Sequence, residues 1–215
     1  MKGNIIVITG RNKMGNYVYY KRGGVQMARA YQPDVRNPKT AQQSKARTKF
    51  AILSRLSMGF AKIVEQGFMA QSDTRVSARN LFTKANKDNV MVSASGAAQV
   101  AYDELVLSKG SLPTVLTGAL DWATAGKIVA PITDGQASFP GAEATDNVLL
   151  YAYCPDTQMG MMSDGAETRN STDVQVKYPS SWATCTVHVY LVVHRKTPGD
   201  VASSLTTYLG SGTAA

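Results

Sequence analysis

The sequence predicts an α+β protein in which an N-terminal basic β-hairpin and a long amphipathic helix precede a β-sandwich. Three observations support this prediction. Lysine and arginine concentrate at the start of the chain, apolar residues recur at helical spacing through residues 41–64, and short apolar segments between turn residues fill the rest. We divide the 215 residues into a basic hairpin (1–36), a helical segment (37–90) and a β-sandwich domain (91–215).

Charge is distributed very unevenly along the chain. Residues 1–50 contain eleven Lys or Arg and a single acidic residue, Asp34, whereas residues 91–215 contain six Lys or Arg and eleven Asp or Glu. This segregation predicts that the N-terminal region binds an acidic partner. The predicted contact residues are Arg11, Lys13, Lys21, Arg22, Arg29, Arg36, Lys39, Lys45, Arg47 and Lys49.

The nature of the acidic partner stays open at this point. Lysine and arginine neutralise phosphates, and the interleaved Tyr17, Tyr19, Tyr20 and Tyr31 could stack on bases, as in nucleic-acid-binding proteins. An acidic protein surface would attract the same cations, and a solvated basic face is the third alternative.

Three apolar or aromatic segments predict strands in the basic hairpin: Asn4–Thr9, Tyr17–Lys21 and Val25–Tyr31. Residues 10–16 look like a basic turn. Gly23-Gly24 predicts a tight hairpin turn, because glycine accepts positive φ without steric cost. The alternation of residues suggests a shared face for Tyr17, Tyr19, Val25 and Met27.

The helical segment begins with a recognisable start signal. Thr40 follows Pro38 and is a plausible N-cap, so we expect an amphipathic helix of some 25 residues ending near Gly67. A second helix is predicted from Ser77 to Asn86. The apolar face of the first helix is Ala46, Phe50, Leu53, Leu56, Phe60, Ile63 and Val64.

The remaining residues predict an all-β region. Gly, Pro, Asp and Ser turns separate its apolar segments at short intervals, which is typical of a β-sandwich. The predicted strands are Glu104–Leu107, Lys127–Ile132, Asn147–Cys154, Asp173–Lys177, Thr184–His194 and Ser203–Leu209.

A set of N-terminal and C-terminal motifs occurs together in a characteristic order. They are Gly15-Asn16-Tyr17-Val18-Tyr19-Tyr20-Lys21, Arg29, Asn37-Pro38-Lys39-Thr40-Ala41-Gln42-Gln43, Arg47-x-Lys49-Phe50, Ser108-Lys109-Gly110-Ser111-Leu112, Val187-His188-Val189-Tyr190-Leu191, and Ser203-Ser204 with Tyr208-Leu209-Gly210. In this order they resemble a family of unknown function common in Bacteroidota and their phages. The Asn-Pro-Lys-Thr element also resembles helix starts in phage virion proteins. The resemblance implies an α+β fold in which an N-terminal basic β-hairpin and helix are followed by an immunoglobulin-like β-sandwich. It also implies a phage or bacterial context, and it implies no active site.

The candidate catalytic and metal-ligating residues do not form a convincing site. Gly10 and Gly15 have the spacing of a phosphate loop, but Asn16 and Tyr17 follow where Lys and Ser or Thr are needed. His188 and His194 lie six residues apart on one strand, roughly 20 Å apart, so they could not share a metal and are expected at the surface or rim. Cys154 and Cys185 are expected to be buried free thiols, with a disulfide as the alternative. We therefore expect no enzyme activity, cofactor or metal.

We interpret the chain as a phage virion structural or assembly protein, capsid-, connector- or tail-associated, that docks through its basic N-terminal region. The expected partners are other virion chains and further copies of this chain, with packaged nucleic acid as an additional candidate. We expect no membrane partner, because the sequence shows no signal peptide and no transmembrane run. We also expect no small-molecule partner, because assembly sites are broad surfaces rather than pockets. The expected location is the virion, assembled in the host cytoplasm. The alternative is a bacterial nucleic-acid-binding protein with a β-sandwich interaction module.

Overall fold

The computed structural model describes residues 12–34, 39–72, 76–93 and 95–214. These residues form a β-rich α+β structure with three short helices and several sheets. The helices are α1 (Ala41–Gly59), α2 (Ala61–Gly67) and α3 (Ala78–Ala85). The strands are β1 (Asn12–Met14), β2 (Tyr17–Arg22), β3 (Val25–Ala30), β4 (Val90–Val92), β5 (Ala98–Val100), β6 (Leu116–Thr117), β7 (Lys127–Asp134), β8 (Asn147–Cys154), β9 (Met159–Met162), β10 (Asp173–Lys177), β11 (Thr186–Thr197), β12 (Asp200–Ser203) and β13 (Thr207–Thr213).

The N-terminal strands form an antiparallel sheet in the order β1-β2-β3. The predicted hairpin is present, and both turn glycines have positive φ, 54° at Gly23 and 78° at Gly24. This two-residue turn sets Arg22 opposite Val25. The prediction that Tyr17 and Tyr19 share a face with Val25 and Met27 is therefore wrong. The register puts Tyr17 and Tyr19 on one face of the sheet and Val25 and Met27 on the other, because a one-residue shift in pairing reverses the faces. Residues 12–14 were expected in a turn and form β1, whereas Asn4–Thr9 lies outside the described residues.

A larger sheet, which we call the central sheet, organises the rest of the molecule. Its order is β12-β11-β8-β9, and β13 pairs with the N-terminal half of β11. A second sheet, β10-β7-β6, packs on one face of the central sheet. Alternate residues of β8 and β11 enter the core between the two sheets: Val148, Leu150, Ala152, Cys154, Val187, Val189, Leu191 and Val193.

The helices cover the opposite face of the central sheet. Phe60, at the junction of α1 and α2, stacks on Tyr153 of β8 with ring centroids 4.3 Å apart. Tyr190 of β11 meets the edge of the same Phe60 ring. Strand β8 is thus covered on both faces, and seven of its eight residues are buried. The helical segment and the β region share this core.

The helices begin where the sequence predicts. The Thr40 side chain accepts a hydrogen bond from the Gln43 N–H at 3.2 Å, and Ser77 caps α3 in the same way. The long amphipathic helix is not confirmed, because the helical run is interrupted at Phe60. Its apolar stripe is buried only from Leu53 onward. Ala46 and Phe50 are exposed because none of the described elements covers them, although the periodicity placed them in the core.

The β region follows the prediction in part. Strands β8 and β10 have the predicted bounds, but the predicted strand Glu104–Leu107 does not form. Instead, a short 3-10 helix forms at Tyr102–Glu104, just before most of the predicted strand. The residues after it are not in a strand, and Leu105 and Leu107 are buried in the core that the helices form with the central sheet. The predicted strand Ser203–Leu209 is split between β12 and β13. The immunoglobulin-like topology is not confirmed.

Candidate functional site

The predicted contact residues lie in a segment that packs little against the rest of the chain. We call the described residues 13–34 and 39–51 the exposed arm, and we call residues 53–214 the body, as far as they are described. No described side chain of the exposed arm is buried, whereas burial begins immediately afterwards at Leu53. The arm is therefore available for contact with another molecule.

The sheet of the arm carries cations on both faces. The register puts Lys13, Val18 and Arg29 side by side, and Arg22 lies on the same face opposite Val25. The Lys13 Nζ lies 3.7 Å from the centroid of the Tyr31 ring, a cation–π contact that holds the lysine against this face. Lys21 lies on the other face, with Tyr17 and Tyr19.

The helical part of the arm carries the other predicted cations. Lys39, Lys45 and Arg47 are exposed along the start of α1. Lys49 is half-buried, and its Nζ lies 4.0 Å from Asp88, just after α3. Two predicted contact residues, Arg11 and Arg36, lie outside the described residues. The structure thus places the remaining cations in two groups, one on the sheet and one on the helix.

The exposed arm also presents apolar side chains, which the sequence analysis did not assign to the site. Met14 is 57% exposed, Val25 is 53% exposed and Phe50 is 64% exposed. Tyr17 is 54% exposed on the face that carries Lys21. The helical periodicity gave no signal for Phe50, because an apolar residue at that spacing fits a core position equally well. A surface that combines cations with exposed apolar groups suits a protein partner better than plain solvent.

A buried ionic network lies in the body, away from the arm. Asp146 accepts hydrogen bonds from Arg169 Nε at 2.8 Å and from Arg195 Nε at 2.6 Å. Although burial alone would raise the pKa of Asp146, the hydrogen bonds from the two arginines and from the Glu143 N–H hold it below its usual value. The Arg169 guanidinium also donates to the carbonyls of Gly135 and Pro113. These contacts join separate loops, so the network has a structural role.

The histidines are less exposed than the sequence suggested. His194 is buried at 5% exposure, so its expected surface position is wrong. Its Nδ1 lies 3.4 Å from the Ser203 hydroxyl of β12. His188 is half-buried, stacks on Tyr102 with ring centroids 4.3 Å apart and lies 2.9 Å from the Tyr208 hydroxyl. Burial lowers the pKa of both rings.

The two cysteines are both free thiols. Cys154 is buried as expected, but Cys185 is only half-buried. The side chains of Cys154, Cys185 and Asp156 converge, and their ligand atoms all lie within 4.8 Å of one another. The sequence gave no signal for this cluster, because Cys185 is distant in sequence from the other two residues.

These observations define the class of protein as an α+β structure with a layered, β-rich body and an exposed basic arm. The chain belongs to a family of unknown function (DUF6266), whose model matches residues 8–210. No curated protein and no solved structure shows a significant match to the chain. Among the described residues, no helix has the length and apolar character that crossing a membrane requires.

Proposed function

We propose that this chain is a structural, assembly-type protein of a phage virion and that it docks onto neighbouring chains through its exposed arm. The observation that carries the proposal is the arm itself. It combines eight lysines and arginines with one acidic residue, Asp34, and it buries no described side chain within its own chain. A monomer gains little stability from such a segment, whereas an assembly can bury it.

The chemistry of the arm favours an acidic protein surface as the partner. Cations steer the approach to an acidic surface, and apolar side chains contribute most when a partner removes them from water. Met14, Val25 and Phe50 supply this apolar component. The acidic excess in residues 91–215 also makes a second copy of the chain a suitable partner, with the arm of one copy on the body of the next. Such a head-to-tail contact generates rings or filaments.

We further infer that the two facing sheets of the body act as an immunoglobulin-like sandwich that supplies lateral contacts, and that the virion is the site of action. The shared core between β8, β11 and the second sheet supports a rigid scaffold of this kind. The role proposed for the chain is binding rather than catalysis. The resemblance of the Asn37-Pro38-Lys39-Thr40 element to virion proteins supports the phage context.

Nucleic-acid binding is the second candidate function. The observation that favours it is the exposed Tyr17 ring on the same sheet face as Lys21, an arrangement that allows base stacking beside a phosphate contact. The opposite sheet face carries Lys13, Arg22 and Arg29, which supply further cations for phosphate contacts.

The deciding experiment measures the mass and particle shape of the purified chain by light scattering and negative-stain microscopy at low and high salt. We compare the wild type with a variant in which Lys21, Arg22, Arg29 and Lys45 become Gln. The matched control changes four exposed cations of the body, Lys62, Arg79, Lys84 and Lys196, to Gln. We expect symmetric oligomers from the wild type and the control, and loss of assembly in the arm variant. A monomer at every salt concentration that binds duplex DNA with a steep salt dependence would support the second candidate and overturn the first.

A further inference from the structure

Three metal-ligating side chains converge at one end of the central sheet, in a part of the body that the docking proposal does not use. Cys154 is the last residue of β8, and Asp156 lies in the turn that joins β8 to β9. Cys185 immediately precedes β11. The two sulfurs and the carboxylate all lie within 4.8 Å of one another.

Backbone hydrogen bonds fix the positions from which these side chains project. The Cys185 N–H donates to the Trp182 carbonyl at 2.8 Å, and the Cys185 carbonyl accepts from the Ala214 N–H at 3.1 Å. Cys154 pairs with Met159 across β8 and β9. The site is therefore largely formed before any ligand arrives, which reduces the ordering cost of binding.

The backbone beside the cluster is strained. Thr184 has φ of 67° and Gln158 has φ of 54°, values in the left-handed region that residues other than glycine rarely adopt. A β-branched threonine is especially unfavourable there. Strain of this kind is retained where the surrounding structure requires a particular side-chain position, as at ligand sites.

We propose that Cys154, Cys185 and Asp156 form a binding site for a divalent transition-metal ion, with Zn²⁺ the best fit. Two thiolates and one carboxylate are a donor set that Zn²⁺ accepts. In a tetrahedral zinc site with metal–sulfur bonds of about 2.3 Å, the two sulfurs lie about 3.8 Å apart. The separation of the ligand atoms here is compatible with that geometry. Asp156 is exposed, so a fourth position is open to water.

Metal binding at this site should depend on pH. A metal ion binds the thiolate form of cysteine, so binding releases the thiol protons to the buffer, and affinity should fall as the pH is lowered.

The test uses the full-length chain, reduced and freed of metal with a chelator, then titrated anaerobically with Co²⁺ as a spectroscopic substitute for Zn²⁺. The proposal predicts a sulfur-to-cobalt charge-transfer band that saturates at one metal ion per chain. Zn²⁺ should abolish this band by displacing Co²⁺, and it should raise the melting temperature of the wild type. Absence of the charge-transfer band from the reduced wild type would overturn the proposal.

Two variants test the proposed ligands, and a third is the control. Cys185→Ser should lose the charge-transfer band and the zinc-dependent rise in melting temperature. Asp156→Asn tests the third ligand without disturbing the core, since Asp156 is exposed, and it should weaken Co²⁺ binding while the fold is retained. Asp88→Asn is the matched control, because Asp88 is 80% exposed and lies away from the cluster, and it should bind as the wild type does. Wild-type affinity in both Cys185→Ser and Asp156→Asn would overturn the site.

A disulfide is the competing use of the same two thiols. Thiol counting and mass spectrometry of the chain purified without reductant distinguish the two outcomes. A Cys154–Cys185 disulfide in that sample, together with no metal binding after reduction, would overturn the metal site. Two free thiols that become protected from alkylation when Zn²⁺ is added would support it.

Discussion

The exposed arm and the body obey the same local rules of secondary structure but differ completely in burial. In the body, β8 is covered on one face by the helices and on the other by the second sheet. In the arm, a well-formed three-stranded sheet and the first half of α1 bury no described side chain. Two phenylalanines ten residues apart show the contrast, since Phe60 is fully buried and Phe50 is 64% exposed. Periodicity therefore identifies which residues share a face, and a packing partner decides whether that face becomes core.

The largest expected effect concerns the buried ionic network of the body. Asp146→Asn should lower the free energy of unfolding by about 5 kcal/mol, because it leaves the buried Arg169 guanidinium without a countercharge. Arg195 loses its shortest ion pair but keeps Glu143 at 3.2 Å and Asp200 at 3.1 Å. Urea denaturation measures the loss, and Asp88→Asn, at an exposed carboxylate, is the control. A loss as small as that of the control would show that the arginines find other partners.

The two phenylalanines give the next largest effect. They also give the most direct test of the difference in burial between the arm and the body. Phe60→Ala should cost about 3–5 kcal/mol, because it leaves a cavity between Tyr153 and Tyr190. Phe50→Ala should change stability by no more than about 0.5 kcal/mol, as expected for a surface position. The same Phe50 variant should weaken assembly in the light-scattering experiment. If the two variants destabilise equally, Phe50 is buried within its own chain and the arm is not a docking surface.

The pH dependence of stability should originate in the body. Burial holds the pKa of His194 below its usual value of about 6.5, and Lys196 lowers it further. The unfolded chain therefore takes up the proton first, so stability should decrease as the pH falls below about 6.5. His194→Gln should reduce this decrease in thermal melts recorded from pH 8 to pH 5. His188→Gln should reduce it as well, since burial lowers the pKa of that ring too. An unchanged pH profile in the double variant would show that other groups control it.

The smallest expected effect is local to the arm. Lys13→Gln removes the cation from the Tyr31 ring and should cost the arm sheet about 0.5–1 kcal/mol. Hydrogen exchange at the Tyr31 amide, which donates to the Asn16 carbonyl at 2.7 Å, reports this loss without interference from the body. Lys21→Gln on the opposite face is the matched control and should leave that amide unchanged.

Sequence reasoning was most reliable where a local signal was decisive. The cap at Thr40, the glycine turn of the hairpin and the bounds of β8 and β10 are all local features of the chain. The predicted strand over Glu104–Leu107 failed although Leu105 and Leu107 alternate. These leucines pack into the core shared with the helices, from a segment that pairs with none of the described strands.

The two candidate sites differ in the same way: one depends on a local feature of the sequence, and the other depends on contacts between distant residues. The cations of the arm are visible in the sequence because charge segregation needs no knowledge of the fold. The cluster of Cys154, Asp156 and Cys185 cannot be recognised from the sequence, because only the pairing of β8 with β11 brings the two cysteines together with Asp156. His194 was misplaced because a side chain that faces away from one core can face a second layer.

Local patterns in the sequence identified the α+β class, the cap at Thr40, the glycine turn, the long body strands β7, β8, β10 and β11, and the basic character of the N-terminal region. Caps, glycine turns and charge runs act over a few residues, so they can be read from neighbours in the chain. The tertiary structure alone decided which face of each element is buried, the register of the arm sheet and the convergence of the cysteines. These features depend on contacts between distant residues, and the free energy of burial is gained only where another element covers the surface.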